Sequence, residues 1–267
     1  MKLFDRKFGR EYLQSVPLGP GVYRFANAEG RTIYVGKAKN LRRRLAQYRR
    51  ARKGKARKIV QAATSLSWEP LLSDLEACLQ ELRDIQKDRP KLNVAGAFSY
   101  RYPLIGILTE EKTCTLCFTT TPEVFPSLRF HGAFRSREVT AEAFFALVRL
   151  LRFVGHASPF SREERKAYSY EITLRQLPQT WPAEIEAFLR GRSDALLQTL
   201  FHRLLEHAGA RAKSEEVQEG LEALALFWRQ ECLPLAEAIA LVGFETYPVP
   251  QTERDPLFVR ARKEKTP

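Results

Sequence analysis

Two short tyrosine-bearing segments near the N-terminus place the tightest limit on how this chain can fold. Residues 21–25 read GVYRF and residues 32–36 read TIYVG, and runs of β-branched and aromatic residues of this kind are typical of strands. The segment between them, residues 26–31, is polar and contains Gly30, which favours a hairpin loop. The sequence therefore predicts a β-hairpin over residues 21–36.

The predicted hairpin leads directly into a basic helix. Asn40 belongs to a residue type that commonly caps helices, and Leu41, Leu45 and Tyr48 then recur at the i, i+4, i+7 spacing of one helical face. Residues 37–58 contain twelve Lys or Arg and no Asp or Glu. The pattern predicts an amphipathic helix with a strongly cationic outer surface.

The positive charge of the chain is concentrated in this region. The net charge is +13, and residues 1–58 hold 18 basic against 3 acidic residues, whereas the remainder holds 26 basic and 28 acidic residues. A local excess of this kind favours the binding of phosphate groups. A simple solvated charged face remains the alternative interpretation.

A second helix has clear start and end signals. Ser73 and Glu76 form a capping box, and Pro90 marks the end of the helix. The side chains predicted to form its buried face are Leu75, Cys78, Leu79, Leu82 and Ile85. Glu81 lies at the border of this face, so its carboxylate can point into a cleft while the helix packs. This helix completes a small α/β unit.

The sequence pattern after residue 97 indicates a different organisation. Strands are predicted at residues 102–107, 113–119 and 128–134, and helices at residues 140–154, 183–209 and 214–244. The tail after Pro248 is expected to be frayed. The predicted fold is α+β, with a small α/β domain at 15–97, a β-hairpin and helix extension at 98–159, and a mostly helical region at 160–247 that is a possible platform for partner docking.

The cysteines and the apolar runs indicate the compartment. Cys114 and Cys117 form a C-x-x-C pair, but they lie in a segment that alternates like a strand, where residues three apart face opposite sides. All four cysteines (Cys78, Cys114, Cys117 and Cys232) are therefore predicted to be reduced structural thiols. No apolar run approaches membrane-spanning length, and a soluble cytoplasmic protein is expected.

Five short motifs, in order, resemble one family of nucleases. They are Gly21-Val22-Tyr23, Tyr34-Val35-Gly36-Lys37, the stretch Lys37–Tyr48, Glu76-Ala77-Cys78-Leu79-Gln80-Glu81 and Pro90-Lys91-Leu92-Asn93. The first two resemble the signature of the GIY-YIG nucleases. The other three are similar in spacing to the bacterial UvrC branch of that family. The resemblance implies a GIY-YIG nuclease fold for residues 15–97.

The resemblance also implies a catalytic apparatus. It assigns catalytic or supporting roles to Tyr23, Tyr34, Lys37, Arg44, Tyr48 and Asn93, with Tyr34 acting as the general base or helping to form it. It implies that Glu81 holds one divalent metal ion, Mg²⁺ or Mn²⁺, without a small-molecule cofactor. Phosphodiester hydrolysis needs an activated water and cationic stabilisation of the charge that develops on phosphorus, and these residue types supply both.

Three of these residues have a simpler interpretation. Tyr48 shares its helical face with Leu41 and Leu45, so packing alone would explain it. Glu81 is compatible with a surface helix acid, and Asn93 with a turn residue after a helix-ending proline. The histidines His131, His156, His202 and His207 show no ligand spacing and are predicted to be structural.

The outline of the chain is similar to that of the short, Cho-type branch of UvrC homologues, since no second nuclease module is recognisable in the sequence. That resemblance implies incision of damaged double-stranded DNA on the 3′ side of a lesion, possibly with UvrB and UvrA as partners and without a membrane. Residues 214–220 depart from the family pattern for UvrB binding. The predicted DNA contacts are Lys39, Arg42, Arg43, Arg49, Arg50, Arg52 and Lys53. The alternatives are a catalytically silent DNA-binding module and a structure-specific or mobile-element GIY-YIG endonuclease.

Overall fold

The computed structural model describes residues 2–93, 101–157 and 169–265. These residues form two compact units, one built from residues 2–93 with 258–265 and the other from residues 101–157 with 169–257. The boundaries predicted at residues 97/98 and 159/160 lie outside the described residues, and the predicted domain ranges remain predictions. Among the described residues no helix is both long enough and apolar enough to cross a membrane.

The first unit contains a three-stranded antiparallel sheet. Its strands are β1 (Gly21–Ala26), β2 (Thr32–Ala38) and β3 (Ser65–Pro70), in the order β2-β1-β3. The helices of this unit are α1 (Leu3–Phe8), α2 (Tyr12–Ser15), α3 (Leu41–Arg50), α4 (Gly54–Ala62) and α5 (Asp74–Asp88). The predicted hairpin is confirmed. Strand β3 and helix α1 were not predicted from the sequence.

One face of this sheet carries the aromatic core of the unit. Tyr23 lies opposite Gly36, and Phe25 lies opposite Tyr34, so these side chains share one face of the sheet. The apolar side of α3, with Leu41, Leu45 and Tyr48, belongs to the same buried cluster. The predicted N-cap is confirmed, because Arg43 N donates to Asn40 Oδ1 at 2.8 Å. The basic helix is therefore anchored on its apolar side, as predicted.

Helix α5 packs on the opposite face of the sheet, but with a different set of residues from the predicted one. The predicted cap is confirmed, because Glu76 N donates to Ser73 Oγ at 3.1 Å. The fully buried positions of α5 are Ala77, Asp84 and Ile85, whereas most of the predicted apolar face is only partly buried. The reason is electrostatic: this face of β1 presents Arg24, whose Nε donates to Asp84 Oδ2 at 2.7 Å.

The second unit is built around a five-stranded antiparallel sheet with the order β6-β4-β5-β8-β7. The strands are β4 (Leu104–Thr109), β5 (Thr113–Thr119), β6 (Arg129–Gly132), β7 (His156–Ala157) and β8 (Tyr170–Arg175), and α6 (Arg137–Leu151) follows β6. The predicted hairpin is confirmed. Cys114 and Cys117 are buried in β5, as the strand-like alternation predicted.

The helical region is more broken than its composition predicted. The observed helices are α7 (Trp181–Leu189), α8 (Ala195–Glu206), α9 (Ala208–Arg211), α10 (Ser214–Phe227), α11 (Leu233–Val242) and α12 (Arg254–Glu264), with a π-helical segment at Trp228–Cys232. The prediction of one helix over residues 183–209 is wrong because Gly191 adopts a left-handed conformation, with φ of 66°. Residues 214–242 are helical throughout, close to the predicted range of 214–244, and the π-helical segment lies within this helix.

The prediction of a frayed tail after Pro248 is also wrong. Residues 254–264 are helical, and Leu257 is fully buried. The Arg254 guanidinium donates through Nε to Ala133 O at 3.2 Å and lies 4.9 Å from the centre of the Tyr102 ring. These tertiary contacts hold a helix that the polar sequence alone did not indicate.

Candidate active site

Strand β2 lies at an edge of its sheet, and side chains from the α5 region satisfy its free backbone groups. Val35 N donates to Asn93 Oδ1 at 2.9 Å, and Asn93 Nδ2 donates back to Val35 O at 2.8 Å. Leu92 N donates to Ile33 O at 3.0 Å. Asn93 is buried, with 9% exposure. The structure therefore gives Asn93 an ordering role at this edge rather than only a turn position.

Glu81 satisfies the next outward-facing amide of the same strand. Lys37 N donates to Glu81 Oε1 at 3.0 Å, which fixes one carboxylate oxygen beside β2. Burial raises the pKa of the Glu81 carboxyl, and the Lys37 amide and the positive charges of Lys37 and Arg44 act against that rise. No hydrogen bond to Glu81 Oε2 is found among the described residues. Glu81 is thus a partly buried, anchored carboxylate and not a free surface acid.

The Lys37 side chain is held by an acid that sequence analysis missed. Its Nζ lies 3.0 Å from Asp74 Oδ1 and 3.1 Å from Asp74 Oδ2. Because Tyr34 and Lys37 are three positions apart in a strand, their side chains leave on opposite faces. The cation that contacts the Tyr34 ring is Lys55, whose Nζ lies 5.2 Å from the ring centre. The position of Asp74 in the first turn of α5 and that of Lys55 in the basic run were the available signals.

The three predicted tyrosines come together on the α3 face of the sheet. Tyr23 Oη and Tyr48 Oη are 3.2 Å apart, and the Tyr34 ring centre lies 6.3 Å from that of Tyr23 and 6.4 Å from that of Tyr48. Arg44 Nε donates to Tyr23 Oη at 3.1 Å. Tyr48 is therefore both a core residue and a member of this polar cluster.

Burial raises the pKa of two of these phenols. It raises the pKa of Tyr23 to about 12, with a further contribution from the nearby Tyr34. Burial raises the pKa of Tyr48 as well, and the neighbouring Tyr23 and Tyr34 add to that rise. Both groups are consequently protonated at neutral pH and can serve as hydrogen-bonding phenols. Tyr34 is the most exposed of the three, at intermediate burial.

The two motif glycines are explained by close approach. A Cβ atom at Gly36 would lie 2.4 Å from Tyr23 Oη, and one at Gly21 would lie 2.2 Å from Glu69 O. Any larger side chain at Gly36 would displace the Tyr23 phenol from its position beside Tyr48 and Arg44. Gly36 is thus needed for the packing that assembles the tyrosine cluster, and Gly21 for the close approach of the Glu69 backbone.

The basic run divides into structural and free cations. Arg42 Nε donates to Val16 O at 2.7 Å, and Arg49 Nη2 donates to the buried Asp5 at 3.0 Å, so these two predicted DNA contacts hold the N-terminal segment in place. The remaining predicted contacts are exposed, and their side chains have no hydrogen-bonded or ion-pair partner within the described part of the chain; they are Lys39, Arg43, Arg50, Arg52 and Lys53.

Part of the chain is similar in sequence to known proteins. A family model for the UvrC-like GIY-YIG domain matches residues 19–94. The UvrABC system protein C of Thermus thermophilus is 31% identical over 230 residues, which cover 81% of this chain and 38% of that protein. The protein of the same name from Kocuria rhizophila is 32% identical over 140 residues, which cover 51% of this chain and 20% of that protein.

A solved structure is also similar to this chain. The GIY-YIG N-terminal endonuclease domain of UvrC from Thermotoga maritima, bound to its catalytic divalent cation magnesium, is 38% identical over 32% of this chain and 93% of that domain, with a TM-score of 0.30. This chain spans about a fifth to two fifths of the length of the two UvrABC system proteins above. The family model for the UvrC-like GIY-YIG domain matches the segment that holds Glu81, Arg44 and the tyrosine cluster, and this segment, residues 19–94, is a GIY-YIG domain of the UvrC type.

Proposed function

We propose that the chain is a metal-dependent DNA endonuclease of nucleotide excision repair that hydrolyses a phosphodiester on the 3′ side of a lesion. The observation that carries the proposal is the position of Arg44. Its Nε binds Tyr23 Oη at 3.1 Å, and its charge lowers the pKa of Glu81 against the effect of burial. The Arg44 guanidinium is thus part of the tyrosine cluster, and its charge also acts on the Glu81 carboxylate.

The donor set fits one divalent cation. Glu81 is anchored through Oε1, and its other oxygen, Oε2, is the proposed metal ligand. Mg²⁺ usually takes one or two carboxylates while keeping several waters and binding substrate phosphates. Within the described residues no group of three or more His, Cys, Asp or Glu side chains forms a denser site. When bound, Mg²⁺ or Mn²⁺ would supply Lewis-acid stabilisation of the phosphate and of the leaving oxygen.

Side chains of this chain have the remaining roles in the proposed reaction. Tyr34, the more exposed phenol, acts in its phenolate form and accepts the proton of the attacking water at its Oη, and Lys55 lies against its ring. Arg44 binds a phosphate oxygen through its guanidinium. Tyr23 and Tyr48 stay protonated and position Arg44 and Tyr34. Lys37 and Asn93 hold the β2 edge through Glu81 and Val35.

Damaged double-stranded DNA is the proposed substrate, and UvrB with UvrA are the proposed partners. The support comes from the relatives named UvrABC system protein C and from the five exposed cations of the basic run. We do not propose that UvrB binds through residues 214–220. Gly220 is buried in α10, and a Cβ there would lie 3.2 Å from the Leu150 side chain.

The test uses an end-labelled duplex with one bulky adduct, Mg²⁺ or Mn²⁺, and reactions with and without UvrA and UvrB. Wild type, Tyr34→Phe and Glu81→Gln are compared, with Glu29→Gln in the exposed hairpin loop as the control. We expect one cut 3′ of the adduct that slows by on the order of 10²-fold or more in the two site variants and is unchanged in the control. DNA binding without any cut by wild type would overturn the enzyme proposal and leave a binding module.

A further inference from the structure

The second unit contains an open cleft of about 710 Å³ between the β4–β6 edge of its sheet and α7. Polar and charged side chains from the β6 region and from α7 line much of it. They are Ser127, Arg129, Gln179, Glu186, Arg190 and Arg192. Three guanidinium groups therefore face one carboxylate, so the cleft carries a net positive charge.

Arg190 is the least compensated of these cations. Its Nε is buried and has no hydrogen-bond partner among the described residues, and no carboxylate in the described ranges forms an ion pair with it. Its guanidinium lies 4.6 Å from the centre of the Tyr247 ring. Arg190 as a whole lines the cleft and is only partly buried, so an anion in the cleft can compensate the charge of its guanidinium.

Arg129 and Arg192 add to the same positive field. Arg129 pairs with Glu186 at 2.9 Å but its side chain remains 66% exposed, and Arg192 is exposed. The fully buried His131 stays neutral beside them, because burial and the charges of Arg190 and Arg129 lower its pKa to about 3. Among the described residues that line the cleft, Glu186 is the one acid.

The turn that carries two of the arginines is held in place. Gly191 adopts φ of 66°, and a Cβ there would lie 2.4 Å from Cys232 O. Tyr247 is fixed in turn, because its Oη lies 3.0 Å from His131 Nδ1. Arg190 and Arg192 thus leave a tightly packed turn, which lowers the entropic cost of binding an anion.

We propose that this cleft binds a phosphate group, carried either by a nucleic-acid strand or by a free phosphate compound. Arg190 and Arg192 are the principal ligands, because a planar guanidinium matches phosphate oxygens in a bidentate geometry. Ser127 and Gln179 are neutral donors at the same wall. The site lies wholly within residues 101–257 and does not depend on nuclease activity.

The test measures binding and not cleavage, in the full chain carrying Glu81→Gln. Arg190→Gln, Arg192→Gln and the double variant are compared with Arg203→Gln, an exposed arginine of the same unit that pairs with Glu206. One arm measures the affinity for labelled single- and double-stranded oligonucleotides over a range of salt concentrations. The other arm titrates inorganic phosphate and follows it by calorimetry.

We expect the double variant to weaken binding in one arm by about tenfold or more, while Arg203→Gln leaves it unchanged. If the ligand is a nucleic acid, the slope of log K against log salt falls by about 1 for each arginine–phosphate interaction that the variant removes. If it is a free phosphate compound, only the inorganic phosphate arm changes. Unchanged binding in both arms overturns the proposal. Arg192→Gln, at an exposed position, decides the outcome if Arg190→Gln impairs folding.

Discussion

At the scale of single residues, the strand edge at β2 shows how a functional group can work against stability. Glu81 is needed as a charged carboxylate in the proposed site, yet burial raises its pKa. An acid whose pKa is raised by folding binds its proton more readily in the folded state, so the folded state loses relative stability as pH rises through that pKa. The ionised form of Glu81 therefore destabilises the unit at neutral pH.

Replacing Glu81 by Gln should raise stability while abolishing cleavage. The amide oxygen can still accept the hydrogen bond from Lys37 N, and the half-buried charge is removed. We expect a higher Tm than wild type at pH 7.5 in EDTA, measured by differential scanning fluorimetry, with a gain that shrinks as pH falls. Glu29→Gln is the exposed control and should not change Tm. A lower Tm for Glu81→Gln would contradict this account.

Lys55 should influence the proposed base more than its neighbours in the basic run do. Its ammonium lies 5.2 Å from the Tyr34 ring centre, and this contact helps to position the ring. A cation–π contact at an exposed site is worth about 0.5–1 kcal/mol, so Lys55→Gln should slow single-turnover cleavage about 2–5-fold. Lys53→Gln should instead weaken DNA binding. Equal rate effects in the two variants would contradict the prediction.

At the scale of elements, α3 uses neighbouring arginines for different purposes. Arg49 pairs with Asp5 of α1, whose side chain is only 7% exposed, and the Arg49 guanidinium holds the pKa of the Asp5 carboxyl below its usual value. Arg50 is exposed, without a hydrogen-bonded or ion-pair partner in the described ranges. One arginine therefore attaches an N-terminal helix, and the next remains available for a ligand.

The two neighbours form a matched pair for testing this division. Arg49→Gln leaves a buried carboxylate without its partner and should lower Tm by several degrees. Arg50→Gln should leave Tm unchanged and reduce the slope of log K against log salt for DNA binding by about 1. Thermal unfolding and fluorescence anisotropy on both variants measure the two effects. The reverse pattern, with Tm falling only in Arg50→Gln, would show that the assignment is wrong.

At the scale of the whole molecule, each compact unit has its own sheet and core, and the second unit contains a built-in sensitivity to acid. His131 is fully buried and its pKa is lowered to about 3 by burial and by the charges of Arg190 and Arg129. In the unfolded chain a histidine binds its proton near pH 6.5. Between these values only the unfolded state is protonated, so stability falls as pH decreases from about 6.5 towards 3.

The predicted fall in stability with decreasing pH can be measured directly. His131 should contribute a loss of up to about 1.4 kcal/mol per pH unit below pH 6.5, as measured by urea unfolding between pH 7 and pH 4. His131→Gln should flatten that dependence, and the exposed His202→Gln should leave it as in wild type. The same slope in wild type and His131→Gln would show that His131 does not remain neutral in the folded state.

Local signals predicted those features that depend on neighbours in the chain. The hairpin at 21–36 and the caps at Asn40 and Ser73 all follow from residues within a few positions of one another, and the structure confirms them. The strand β3 and the helix Arg254–Glu264 were not predicted, because their stability comes from distant partners. The buried face of α5 was predicted incorrectly because Arg24 on the facing strand selects Asp84.

The sequence by itself predicted the type of site: the resemblance of its motifs to those of the GIY-YIG nucleases predicted that the tyrosines, Arg44, Glu81 and Asn93 act as one set, because the order and spacing of motifs are properties of the chain alone. Only the tertiary structure decided how that set is connected. It showed that Asn93 and Glu81 bond the edge of β2 and that Asp74 holds Lys37. It also showed that Arg42 and Arg49 are committed to the N-terminal segment. These pairings join residues far apart in the chain, and the packing of helices on the sheet decides which charges meet.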